Sequence, residues 1–118
     1  MDYVQFDVRL DAPLVKELAT AGLTADYLAV AWEDEQHATA GPDSRLGEYL
    51  RYGGWAPFVR VGVSVTVQSR GEHTILRFDR LVRGPLGVPR ANRMLRRLRR
   101  QFETAFETEQ VLVHVIEG

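Results

Sequence analysis

The chain has 118 residues, of which 45% are hydrophobic and 26% charged, with a net charge of −1 and no cysteine. That size and mixture suit a single globular domain over residues 1–118 with a core of its own, and they argue against disorder. The missing cysteine excludes disulfides, thiolate metal sites and a cysteine nucleophile, and the near-zero charge leaves bulk electrostatics without a preferred partner.

The elements follow in chain order. Val4, Phe6, Val8 and Leu10 alternate with Tyr3, Gln5, Asp7 and Arg9, which predicts a half-buried strand over 3–10. Asp11-Ala12-Pro13 starts a helix, with Leu14, Val15, Leu18 and Ala19 as its apolar stripe and Gly22 as its stop. Over 26–39 the alternation of Leu28, Val30 and Trp32 suits a strand and the alanines with Glu-Asp-Glu-Gln suit a helix; a strand over 27–33 is preferred. Gly41-Pro42-Asp43 reads as a turn. A short strand is expected over 46–52, followed by a flexible joint at Gly53-Gly54. Two long strands come next, over 58–69 and 73–83, joined at Arg70-Gly71-Glu72 as an antiparallel hairpin. Their core face is Val59, Val61, Val63, Val65, Val67, Leu76, Phe78 and Val82. Gly84-Pro85-Leu86-Gly87 breaks the sheet. A helix then runs over 89–108, about 30 Å long. A valine-rich strand over 110–117 ends the chain.

The long helix carries the least ordinary pattern. Ala91, Met94, Leu95, Leu98, Phe102, Ala105 and Phe106 fall on one arc and form its core face. Seven arginines and no acid lie between Arg83 and Arg100, whereas Glu103, Glu107 and Glu109 crowd the other end. Each end therefore opposes the helix dipole, at about 0.3–1 kcal/mol per terminal charge. Arg93, Arg96, Arg97 and Arg100 lie opposite Leu98 and are the candidate anion-binding residues. A solvated basic face, an anionic partner and self-association through this helix all fit the pattern. The chain's basic residues are nearly all arginine, with Lys16 the sole lysine. A GC-rich coding bias explains this better than selection for anions, because the bias runs through the whole chain and is not confined to one site.

Catalytic chemistry finds little support. Ser44, Ser64 and Ser69 lack any nucleophile context, and the glycines form no phosphate-binding loop. Asp79 and Arg80 read as an outward ion pair. Glu33, Glu35 and His37 would share a face if they lay in a strand, but no second ligand group accompanies them. Neither a metal, a cofactor nor a covalent step is expected. Trp32, Tyr49, Tyr52 and Trp55 read as core and rim aromatics. No run approaches the ~20 apolar residues of a membrane span, and the N-terminus shows no basic stretch ahead of an apolar one, so a cytoplasmic protein is expected.

Two segments, VQFDVRLDAPLVKELA and HTILRFDRLVRGPLGVPRANRMLRRLRRQFETAFE, carry a likeness to a known family. The first resembles the opening strand, Ala-Pro turn and helix of the START/polyketide-cyclase-like (helix-grip) superfamily. The second resembles that superfamily's last strand, glycine-rich break and gripping helix. The resemblance implies an α+β fold in which an antiparallel sheet grips one long C-terminal helix. It also implies an apolar or amphipathic small molecule held between the two. The ligand-binding residues would then be Trp32, Val63, Val65, Phe78, Leu95, Leu98 and Phe102.

The chain departs from that pattern by being short and by adding the strand 111–116. The added strand raises a rival, the ferredoxin-like βαββαβ order with residues 23–57 as an insertion. Two functions follow. The first is a non-catalytic small-molecule binding domain. The second is an interaction protein that uses the arginine-rich helix face or the last strand to bind an anionic macromolecule, such as nucleic acid, or a second copy. With both faces of 111–116 largely apolar, that strand is expected to pair with the main sheet or with another copy.

Overall fold

The computed structural model describes residues 1–26, 28–42, 61–82 and 87–118. The elements are β1 (Tyr3–Val8), α1 (Ala12–Ala25), β2 (Leu28–Trp32), β3 (His37–Pro42), β4 (Val61–Arg70), β5 (His73–Val82), α2 (Val88–Thr108) and β6 (Leu112–Glu117). The fold is α+β. Six strands form one open antiparallel sheet in the order β2-β3-β4-β5-β1-β6. Both helices pack on the sheet, α1 against β2, β4 and β5, and α2 against β1, β4, β5 and β6.

Alternation decides which face is buried. Phe6 pairs with Leu76 and Val4 with Phe78, while Val65 and Val67 face Phe78 and Leu76 from the other side. All six side chains are buried, as are Val61 and Val63. Of the expected core valines, Val61, Val63, Val65 and Val67 are buried, Val82 is only half-buried, and Val59 lies outside the described residues. Across this face lies α2, which buries Ala91, Leu95, Leu98, Phe102 and Phe106. Met94 is only half-buried and Ala105 is exposed, so the apolar arc is narrower than its composition suggests. Phe6, Phe78, Phe102 and Phe106 form a ring cluster with centroids 5.1–6.2 Å apart.

Several sequence expectations are corrected here. The first strand ends at Val8 rather than Leu10. Asp11 caps α1, accepting from the Leu14 backbone N–H at 3.0 Å, but the helix runs through Gly22 to Ala25. Gly22 is an approach point instead of a stop. A Cβ there would lie 2.5 Å from Phe102 Cζ, and the Gly22 carbonyl accepts from Gln101 Nε2 at 2.9 Å. The buried stripe of α1 is Val15, Ala19 and Leu23, which leaves Leu14 and Leu18 exposed.

Gly41 and Pro42 belong to β3 and not to a turn. Periodicity could not reveal β3, because its inward residues, Ala38 and Ala40, are small and weakly apolar. They are buried because Val65 and Val63 lie opposite them. The long hairpin turns at Gly71, whose φ of +65° suits glycine. The strand over 46–52, the joint at 53–54, Tyr49, Tyr52 and Trp55 lie outside the described residues.

Candidate interaction surface

β6 occupies one edge of the sheet. It pairs antiparallel with β1, as expected for a strand too apolar to hang free. Val111 leads into it, its N–H donating to the Phe106 carbonyl while its own carbonyl accepts from Arg9 N–H. A register shift between Asp7 and Val8 breaks the simple alternation, so Leu112 lies opposite Val8 and Val115 opposite Phe6. Leu112 and Val115 are half-buried against the core. Val113 and Ile116 remain about 40% exposed.

Between β6 and the C-terminal half of α2 runs an open groove of about 620 Å³. Arg99, Glu103 and Glu107 line its helix side, and Leu112 to Val115 line its strand side. Arg99 ties the two walls together. Its Nη1 meets Glu117 of β6 at 2.5 Å and its Nε meets Glu103 at 3.3 Å. These carboxylates, Glu117 first, raise the pKa of the guanidinium further.

The four candidate arginines separate. Arg97 is bound to Asp26 at the end of α1, at 3.2 Å. Because Asp26 follows the Gly22 contact with Gln101, α1 and α2 run antiparallel at this junction. Arg93, Arg96 and Arg100 are exposed and have no ion-pair partner among the described residues. The pairing of Asp79 and Arg80 is also corrected. Asp79 binds Arg77 on the outer face of the sheet, at 3.0 Å. Arg80 points to the helix side, where it meets Asp2 at 2.8 Å and Asn92 at 3.1 Å. Neighbours on a strand point to opposite faces, so these two could not meet.

The seven ligand candidates do gather. Val63, Val65, Phe78, Leu95, Leu98 and Phe102 sit in one buried cluster, and Trp32 packs on its margin. The Trp32 indole N–H donates to Thr20 Oγ1 at 3.0 Å, and Lys16 Nζ lies over its ring. The Phe78 and Phe102 rings are 5.1 Å apart, so the sheet and the helix touch directly at this pair.

Glu33, Glu35 and His37 do not share a strand face, because 33–36 form the β2–β3 turn. Asp34 organises it. Its carboxylate accepts from Gln36 N–H at 2.7 Å and His37 N–H at 2.8 Å, and touches His37 Nδ1 at 3.0 Å. These contacts, the Gln36 N–H above all, hold the Asp34 carboxyl below the ordinary carboxylate range. A lowered acid stabilises the fold in its ionised form. The stabilisation is complete above the ordinary carboxylate value and is lost as pH falls through the lowered one. A carbon-detected NMR titration should place the Asp34 midpoint below the ordinary value, and an unshifted midpoint would contradict this turn geometry.

Sequence reading missed one polar cluster. Asp7 lies on the outer face between His114 of β6, its register partner, and His73 of β5, whose Nδ1 is 3.4 Å from Asp7 Oδ1. That oxygen is buried and accepts no hydrogen bond among the described residues. Residues 73 and 114 are too far apart in the chain for spacing to have joined them. Among the described residues no group of three His, Asp or Glu side chains is close enough to hold a metal ion. No described helix is long and apolar enough to cross a membrane. No protein-family model matches the chain, and no curated protein matches it.

Proposed function

We propose that the chain is a non-catalytic interaction domain that associates with a second copy of itself through β6 and the groove beside it. The observation that carries this reading is the open edge of β6. Among the described residues no strand pairs with its outer side, and Val113 and Ile116 stand exposed on it. There is no lysine or proline in Leu112–Glu117. Antiparallel pairing of two β6 strands would satisfy the backbone and remove both side chains from water, as strand addition does in general.

The first expectation, a small apolar ligand between sheet and long helix, draws support from the gathering of its seven residues. It draws none from the space between them, since a ligand there would have to displace the phenylalanine contacts. The finer fold reading stays a proposal of the same kind. Setting β6 aside leaves the strand, helix, antiparallel meander and long helix of the helix-grip pattern. Setting β2 and β3 aside leaves the βαββαβ order.

Native mass spectrometry of the purified chain separates the readings, because it weighs the assembly and any bound small molecule together. The expected result is a ligand-free dimer. Val113→Lys with Ile116→Lys should convert it to a monomer while shifting the stability of the fold by less than about 0.5 kcal/mol, as both sites are at the surface. A wild-type monomer at every soluble concentration would overturn the proposal.

A further inference from the structure

Contacts among the described residues account for only part of the charge pattern of α2. Its first half is basic, its second half acidic, and neither end is matched to the helix dipole. Tertiary contacts neutralise Arg97 and Arg99 but leave Arg96 and Arg100 without a partner among the described residues. Glu107 stands in the same position at the acidic end, exposed beside the groove.

These residues are not scattered round the helix. At 100° per residue, Arg96, Arg100, Glu103 and Glu107 fall within an arc of about 60°, well away from the buried stripe of Leu95, Leu98 and Phe102. Glu103 and Glu107 line the groove that flanks β6, so this arc borders the same edge of the molecule. The order along the arc is two basic groups and then two acidic groups, spread over about 16 Å. Such an order is self-complementary only when two copies run antiparallel.

Resting on the reading that β6 pairs with a second copy, we infer that α2 specifies that copy and its orientation. Two α2 helices lie antiparallel across the two-fold axis, with Arg96 facing Glu107 of the second copy and Arg100 facing its Glu103. Each contact occurs twice, as a two-fold interface requires. The helix dipoles then oppose one another, and each basic half meets an acidic half. The charges act on choice more than on strength. Exposed ion pairs add little to affinity, but like charges brought face to face reject a wrong partner or a parallel arrangement. Affinity comes from the β6 edge.

A charge exchange tests this. Arg96→Glu sets an acid against Glu107 of the second copy, and Glu107→Arg sets a base against its Arg96. Each variant alone should dimerise about tenfold more weakly than wild type in sedimentation equilibrium at low salt. An equimolar mixture of the two variants restores both contacts, so it should form a heterodimer close to wild-type affinity. Recovery on mixing cannot come from a misfolded variant, and circular dichroism should show both folded alone.

If wild type dimerises but the variants match it alone, or the mixture does no better than either, the inference on α2 fails while the β6 reading stands. If wild type is monomeric throughout, the β6 reading itself fails. If monomeric wild type binds a single-stranded oligonucleotide and Arg96→Glu abolishes this, the arginines belong to phosphate and the inference is overturned.

Discussion

Phe6→Ala should lower the free energy of unfolding by about 3–5 kcal/mol. Phe6 is fully buried on β1, an interior strand between β5 and β6. Its ring meets Phe78 of the neighbouring strand at 6.2 Å and Phe102 and Phe106 of α2 at 6.2 and 5.7 Å. Truncation removes the transfer energy of the ring and leaves a cavity that three aromatic neighbours cannot all collapse to fill. Urea denaturation followed by circular dichroism gives the answer directly. The midpoint should fall with the slope unchanged, since the surface exposed on unfolding hardly alters. A loss under about 1 kcal/mol would mean that sheet and helix are not packed through this ring cluster.

Gly62→Ala should cost about 1–3 kcal/mol, although it adds a single methyl group. A Cβ at Gly62 would lie 2.6 Å from the Ala40 carbonyl oxygen of β3. The obstacle is backbone in the adjacent strand, so relief requires β3 and β4 to separate. Gly41→Ala is the matched control, because no atom of the described residues lies within 4 Å of a Cβ built there. It should be neutral or stabilising by about 0.4–1 kcal/mol through the unfolded chain. Equal effects at the two sites in the same urea series would show that β3 does not approach β4 as described.

The glycine contrast marks where sequence reading stops. Both residues stand among small and apolar neighbours, and nothing local distinguishes a glycine that a neighbouring strand requires from one that it does not. Gly22 makes the same point on a helix. Read along the chain it is a stop signal, whereas in the fold it is the place where α2 comes close enough for Phe102.

What the sequence determined by itself was every element with a strong period. The valines of β4, the alternation of β1 and β5 and the apolar arc of α2 each specify a type and a buried face. A core-facing side chain must recur at the period of its own backbone. The long hairpin followed from the same rule, because its strands are joined by a two-residue turn. The α+β class and the candidate gathering of Phe78, Leu95, Leu98 and Phe102 were legible on that ground.

Only the tertiary structure decided the rest. It made a strand of β3, whose alanines are buried by what lies opposite them and not by their own hydrophobicity. It placed β6 beside β1, more than 100 residues away in the chain, and so created both the open edge and the groove. It also divided the arginines. Arg97 is taken by Asp26 across 71 residues, and Arg99 is held by Glu117. Arg96 and Arg100 are left facing outward. Charge is felt through space and not along the sequence, so a row of like residues acquires different roles only when folding chooses their neighbours.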